Sequence, residues 1–420
     1  MKTKLSNKDS KYIIFIILIS IVLGIFTEFI STLCIMVILL FNKKVLPVLT
    51  YKTLIIIAIV FLWSVISITI NNYELSKFFQ QFILLGTVAL SYSYILTILK
   101  NQYHILFGKY INIMFVISCL GLLQFIIFFI FHFDILFFSL EGIKPSYLEG
   151  QFIRVSSIMR EPGYLGSSLS PVIAFIIFDK NYFFKNKLKS ILIFITFLLT
   201  FASISYTILA LILFTKFILR LRKNARIIIL IIFGTIASIF SYFNSVKEYD
   251  GAVEDGFFSA IFVKLSETIN ADNAKHADFY EEMNASTYAL LVNKWVATNA
   301  PSRMFGTGLG THEQSYKKLY SNNAYELYGL NSEDGYSLYN RVFSEFGYVG
   351  LILLFIFLIK YLNTKNIINL SALFFIIAVI IRGGHYTMYG TVMFFYLYYL
   401  TSKIKKDGSI NFSNYINSGE

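Results

Sequence analysis

Charge is scarce in this chain of 420 residues: Asp, Glu, Lys and Arg together make up 14%, against 56% hydrophobic residues. Soluble domains carry about a quarter charged residues and about 45–50% apolar ones, so an ordinary water-facing surface is excluded. Cysteine is nearly absent. Cys34 and Cys119 both lie inside apolar runs, which excludes a disulfide framework or a cysteine metal knot. The five histidines form no HExxH or paired spacing, so no metal or other cofactor is expected. The sequence shows no internal repeat, no low-complexity segment and no signal-peptide cleavage site, and it lacks the alternation of a membrane β-barrel.

What the chain has is apolar blocks. A membrane-spanning helix needs roughly 17–25 mostly apolar residues, and backbone groups in lipid must pair within the segment. The pattern predicts an all-α, polytopic integral membrane protein with about twelve transmembrane helices. They fall near 12–26, 29–41, 53–70, 78–99, 110–131, 164–178, 190–202, 206–219, 227–243, 343–359, 367–381 and 387–402. The runs 12–41 and 190–219 are too long for one crossing of a hydrocarbon core about 30 Å thick at about 1.5 Å per residue. Each is expected to be a tight hairpin, turning at Thr27–Glu28 and at Ser203–Ser205.

Charge sets the expected orientation. Lys180, Lys185, Lys187 and Lys189 precede the second long run, and Arg220, Arg222, Lys223 and Arg226 follow it. Both clusters favour the cytoplasm, so an even number of crossings separates them, and both termini are expected inside. The positive charge is spread over several short loops, which argues against a nucleic-acid partner. The organisation expected is therefore helices one to nine over 1–243 with an outer loop at 132–163, a large and mostly helical extracytoplasmic loop at 244–342, and three helices with a cytoplasmic tail over 343–420. Ala285–Ala297 is a helical-looking patch in that large loop.

Three constellations could carry chemistry. The first is Arg154-Val-Ser-Ser-Ile-Met-Arg160-Glu161-Pro162-Gly163, before the sixth span. Ionisable groups at a membrane face are costly and usually have a partner or a function. Arginine binds phosphate oxygens bidentately, and Pro162-Gly163 fits a helix start whose free N–H groups favour an anion. The plainer alternative is that Arg160 pairs with Glu161 or a lipid headgroup and only anchors the helix. The second constellation closes the large loop: Gly306-Thr-Gly308-Leu-Gly310-Thr-His312, Asp334-Gly-Tyr336-Ser-Leu-Tyr339-Asn340-Arg341 and Glu345-Phe-Gly347-Tyr-Val-Gly350. Its glycines are not framed by a strand–helix unit as a dinucleotide loop would be, and a turn that lets backbone approach a ligand is the better reading. The third is Arg382-Gly-Gly-His385, a short outer turn. Tyr316, Tyr320, Tyr325, Tyr328, Tyr336 and Tyr339 crowd the loop, and could stack on sugars or form an interfacial aromatic belt.

The ordered set resembles the O-antigen polymerase (Wzy) family, within the polymerase–ligase superfamily of bacterial surface polysaccharides. The pieces that carry the resemblance are Arg154…Glu161-Pro162 leading into a span, the serine-bearing hairpin Ser203–Tyr206, the long loop with Trp295…Pro301…Gly306-Thr-Gly308-Leu-Gly310, and Glu345-x-Gly347-x-x-Gly350-Leu351 leading into the next span. The resemblance implies a metal-independent glycosyltransferase of the bacterial cytoplasmic membrane that takes no nucleotide sugar. Such an enzyme joins oligosaccharide units carried on undecaprenyl diphosphate at the outer face, beside a flippase and a chain-length-determining co-polymerase. It puts Arg154 where the family has an important arginine.

Two departures stand out. The family's arginine before the loop tryptophan is missing, leaving Lys294 or Arg303 to serve. The ligase branch's His-Asn pair is replaced near Tyr336-Ser337, with Asp334 just upstream, which favours polymerase over ligase. Under this reading Arg154, Arg160, Arg341 and Arg382 are the expected cations against a departing diphosphate. Glu161, Asp334 and His385 are the candidate bases. Lys294, Arg303, Gly306, Gly308, Gly310, Tyr336 and Tyr339 are the expected substrate contacts. A transporter or flippase, a ligase and a membrane O-acyltransferase are the rival readings.

Overall fold

The computed structural model describes residues 7–43, 47–99, 102–133, 147–148, 152–221, 285–320 and 327–403. In chain order the elements are α1 (Asn7–Leu23), α2 (Ile25–Lys43), α3 (Val48–Ile70), α4 (Leu75–Ile98), α5 (Tyr103–Phe131), β1 (Tyr147–Leu148), β2 (Phe152–Ile153), α6 (Pro162–Phe178), α7 (Lys180–Lys185), α8 (Lys187–Leu199) and α9 (Ser203–Arg220). There follow α10 (Ala285–Asn299), α11 (His312–Leu319), α12 (Leu338–Lys360), α13 (Ile367–Ile381), a 3-10 turn at Met388–Gly390 and α14 (Thr391–Ser402). The fold is helical, as expected, apart from one antiparallel pairing of β1 with β2 that pins the loop before α6.

Among the described residues five helices are long and apolar enough to cross a membrane: α3, α4, α5, α9 and α12. Shorter apolar helices lie at Phe26–Phe41, Pro162–Phe178 and Ile367–Ile381. The distribution of side chains supports the membrane reading independently. On α3 the buried positions are Thr50, Thr53, Ser64, Ser67 and Ile68, while Ile55, Ile56, Ile59, Leu62 and Ile66 face outward. In water that arrangement would leave a large exposed apolar face. In lipid it costs nothing, and small polar residues suit helix–helix contacts there. The expected span at 227–243 lies outside the described residues, as do residues 244–284 of the expected large loop.

Both long apolar runs are broken. The second breaks between α8 and α9 at Thr200–Ala202, just before the expected Ser203–Ser205, which form the first turn of α9. The first breaks at Gly24, not at Thr27–Glu28. Gly24 takes φ +111°, a region glycine enters without steric cost. Thr27 then returns its hydroxyl to the carbonyls of Ser20 and Gly24, both at 2.8 Å. Glu28 is therefore no turn residue. It is buried within α2, accepting from Tyr92 Oη at 2.6 Å and from the Gly390 N–H at 3.3 Å.

Helix α6 is the centre of the bundle. Every residue from Pro162 to Ile176 is buried, and α13, α9, α8 and α5 surround it. Small residues allow the approach: a Cβ on Gly166 would lie 2.1 Å from Ser205 Oγ. The described part of the segment expected to form the large loop, α10 and α11 with the turns around them, docks on the α3–α4 turn. Gln314 exchanges two hydrogen bonds with the Glu74 backbone, at 2.8 and 2.9 Å, and Lys77 meets Glu313 at 3.1 Å. This cap has its own small core of Tyr288, Tyr316, Tyr320 and Tyr328, whose rings pack edge-on or stacked. Three of the tyrosines read as a sugar platform or an aromatic belt are thus core residues of the cap; Tyr325 lies outside the described residues.

Candidate active site at the cap end of helix six

Three chain segments meet at the N-terminal end of α6. The first, Ile153–Met159, is threaded into the bundle and not draped over it. Val155 N–H donates to Leu199 O at 3.0 Å, and the N–H groups of Ser156 and Ser157 donate to Gln124 Oε1 at 3.2 and 2.9 Å. Ser157, at φ +54°, donates its hydroxyl to Ile117 O at 2.8 Å. Gly121 makes room, since a Cβ there would lie 2.7 Å from Val155 Cγ1. The segment carries Arg154 inward. Arg160, one residue before Glu161, points out to solvent, and its backbone N–H donates to Tyr389 Oη at 3.2 Å.

The second segment is the turn after α13. Arg382 extends over Gly163, where a Cβ would lie 2.8 Å from Arg382 Nε. Its Nη2 donates to Glu161 Oε2 at 3.2 Å, and its guanidinium lies 5.3 Å from the ring centre of Tyr336. Arg154 sits in the same field: burial lowers its pKa to about 10, with the neighbouring Arg382 adding to that effect and Glu161, Tyr336 and Tyr206 opposing it. Both guanidiniums remain charged at neutral pH. The site therefore gathers two partly buried cations beside the Glu161 carboxylate and the positive end of a helix with proline at its first position, and its second carboxylate, Asp334, comes from the third segment. Arginines at a helix N-terminus are suited to an oxyanion.

The third segment is the turn before α12. Asp334 is almost fully buried and accepts from its own turn, from Tyr336 N–H at 2.9 Å. Its Oδ2 faces His385 Nε2 at 3.4 Å and Tyr164 Oη at 3.4 Å. Gly384 has no side chain because the Asp334 carbonyl occupies that space, 1.5 Å from where a Cβ would sit. Gly383 N–H closes the junction on Tyr336 O at 2.9 Å. An acid–imidazole pair is thereby held beside the two arginines, with His385 the more accessible partner. The arrangement can bind an oxyanion and offers a base to a hydroxyl nucleophile.

Several candidate residues are occupied elsewhere. Arg341, 1% exposed, is fully committed: Nε to Glu345 Oε1 at 3.1 Å, Nη1 to Gly384 O at 3.1 Å, Nη2 to Gln81 Oε1 at 2.6 Å, and its plane over Tyr386 at 4.4 Å. It ties α12, α4 and the 382–386 turn together. Gly306, Gly308 and Gly310 all have positive φ, yet what approaches them is protein. Gly306 abuts the Glu345 backbone, Gly308 abuts Ser64 and Ile68 of α3, and Gly310 abuts Lys77 of α4. The same turn caps a break in α12 at Gly347, where Tyr348 and Val349 N–H donate to Arg303 O and Met304 O at 2.9 and 3.1 Å. Arg303 contributes that carbonyl while its side chain is exposed; Lys294 is half-buried on α10 and Tyr339 is partly exposed. None of the three enters the contacts around Arg154 and Arg382 described above.

His312, at the end of the glycine run, is also structural. It is fully buried, and its pKa is held near 3 by burial with the nearby Arg341 adding to the effect. Its Nε2 lies 2.9 Å from Asn293 Oδ1, while Asn293 Nδ2 donates to Ala289 O and Leu330 O. The imidazole is therefore neutral with the proton on Nε2.

Sequence reasoning missed Tyr164, Tyr206 and Tyr389 around the arginines and Gln124 beneath them. Gln124 offered a signal, the one carboxamide in the apolar stretch from Ile113 to Phe131. The tyrosines offered none among the 29 in the chain. Among the described residues no group of three or more His, Cys, Asp or Glu could hold a metal.

The fold and this site define a helical membrane protein in which two arginines, two carboxylates and a histidine meet at one end of its central helix. No family model matches the chain, and no curated protein or solved structure matches it.

Proposed function

We propose that this protein is a polysaccharide polymerase, a glycosyltransferase that joins undecaprenyl-diphosphate-linked oligosaccharide units at the outer face of the bacterial cytoplasmic membrane. In this reading the chain has twelve spans, both termini are cytoplasmic, and the cap end of α6 faces outward. The observation that carries the proposal is the meeting of Arg154 and Arg382 beside Glu161 at the N-terminus of α6, with Asp334 and His385 adjacent. A lipid diphosphate leaving a sugar develops negative charge, and preorganised cations in a water-poor site stabilise it most. The attacking hydroxyl loses its proton to the Asp334–His385 pair, the new glycosidic bond forms, and the diphosphate departs on its lipid with both electrons of the broken bond.

The test is a gel of lipid-linked and surface glycans from a deletion strain, beside strains restored with wild type and with Arg154→Ala. The expected result is single repeat units on deletion, a full ladder with wild type and no ladder with Arg154→Ala at normal protein level. Long polymer retained on its carrier lipid would instead indicate a ligase. Units accumulating only on the cytoplasmic face would indicate a flippase.

A further inference from the structure

The opposite end of α6 has a feature the glycan chemistry does not use. There α6, α7, α8 and α9 enclose a cleft of about 460 Å³ whose walls include Ile177, Phe183, Phe194 and Ile195, with Lys180 and Lys216 at its polar margin. Lys216 Nζ donates to Ile177 O and so is held at the cleft, while Lys180 is exposed. Arg220 acts on Lys216 together with Lys180, so three cations share one small region. Among the described residues no acidic side chain lines the cleft; the nearest in sequence, Asp179, caps α7 by accepting from Tyr182 N–H at 3.0 Å. The nearby surface is strongly apolar: Phe184 is 71% and Leu188 72% exposed. Ser190 also lines the cleft, and its buried Oγ has no hydrogen-bond partner among the described residues.

We infer that this cleft binds an anionic phospholipid of the surrounding bilayer, its acyl chain against the apolar walls and its phosphate between Lys180 and Lys216. Each part of the cleft matches one part of that ligand. The apolar wall offers an acyl chain a groove instead of a featureless helix surface. The two lysines, with no carboxylate among the described lining residues, supply what a phosphate needs, and basic pockets between transmembrane helices recognise anionic headgroups in this way. The unmet hydroxyl of Ser190 is a donor for an ester or phosphate oxygen. A zwitterionic lipid would satisfy the walls but gain less from the cations. The inference does not depend on the polymerase reading, because it uses only the bundle's membrane setting and the other end of α6.

The experiment is native mass spectrometry of the full-length protein exchanged against vesicles of phosphatidylglycerol or of phosphatidylcholine with matched acyl chains. The wild type is expected to retain phosphatidylglycerol at least about tenfold better. Removing both charges in Lys180→Gln/Lys216→Gln should cut that retention roughly thirtyfold. Lys180→Glu, which leaves the Lys216 hydrogen bond in place, should lose the headgroup preference without loss of the folded protein. Ile195→Trp, which fills the groove, should lower retention of both lipids. Equal retention of the two lipids by wild type would overturn the inference, as would a Lys180→Glu protein that keeps its preference.

Discussion

Arg382 Nη2 donates to Glu161 Oε2 at 3.2 Å across 221 positions of sequence, and this pair joins the turn after α13 to the N-cap of α6. Glu161 is 38% exposed, so the pair adds little to stability. Its effect is to orient. It fixes one guanidinium beside Arg154, in a place where either arginine alone would face less of an anion.

Arg382→Ala should therefore lower the rate of polymer formation by about 10²–10³, the typical cost of one lost electrostatic contact to a transition state, while the amount of folded protein stays normal. Arg382→Lys should recover little, because a compact ammonium cannot both lie against the Tyr336 ring and direct a donor at Glu161. Removing Glu161 is the milder change: Glu161→Gln should alter stability by no more than about 1 kcal/mol, read from the unfolding temperature in detergent. Ladder formation in membranes, normalised to protein, measures the two Arg382 variants. A wild-type ladder from Arg382→Ala would remove this residue from the site.

Arg341 should behave in the opposite way. It and Glu345 form a pair that is 1% and 0% exposed, held further by Gln81, Gly384 and Tyr386. Removing one partner strands the other charge, at a cost of about 3–5 kcal/mol. Arg341→Met and Glu345→Leu alone should each lower the unfolding temperature in detergent sharply, and the double variant should recover much of the loss. If Arg341→Met instead melted like wild type and lost only activity, Arg341 would belong with Arg154 and Arg382.

Gly347→Ala should destabilise the protein by about 2 kcal/mol or more. Glycine stands there at φ +63° and ψ −160°, a region essentially reserved for glycine that costs other residues about 1–3 kcal/mol, and a Cβ would lie 2.4 Å from Met304 O. Gly329→Ala is the comparison: its φ of +78° is also positive, but the nearest atom to its Cβ is 3.9 Å away. Gly347→Ala should lower the melting temperature more than Gly329→Ala, and equal drops would mean that the Met304 contact yields readily.

How much of this was legible in the sequence follows from what sequence encodes locally. Apolar runs report length directly, so α3, α4 and α5 fell close to where they were expected. The three chemical constellations were visible too, because ionisable residues stand out in a chain so poor in charge. Their grouping was not visible. The i,i+4 spacing of Arg341 and Glu345 was a local signal of pairing, whereas nothing local tells that Arg382 meets Glu161, 221 positions away. Glycine was the most ambiguous signal. Positive φ at Gly306, Gly308 and Gly310 serves close approach, but a sequence does not say whether the approaching atom belongs to a ligand or to α3, α4 and α12. Glu28 misled for the same reason: a carboxylate between two apolar stretches reads as a turn until Tyr92 and Gly390 are placed around it.

The neutral His312 makes a prediction about pH. Burial holds its folded-state pKa near 3, below the ordinary value of 6.5. Between those values the unfolded chain binds a proton that the folded one does not, so folding weakens as pH falls. The contribution of neutral His312 is fully present above about pH 6.5 and is lost progressively below it, by about 1.4 kcal/mol per pH unit. Carboxylates titrate over part of the same range, so the comparison must be with a variant. His312→Gln keeps a donor toward Asn293 Oδ1 but has no titrating group. The stability difference between wild type and His312→Gln should shrink between pH 7 and pH 5 by roughly 2 kcal/mol, read from denaturation curves in detergent. A difference that stays constant over that interval would mean that the imidazole titrates alike in the folded and unfolded chains, and one that grows as pH falls would mean that the folded protein binds the proton more tightly.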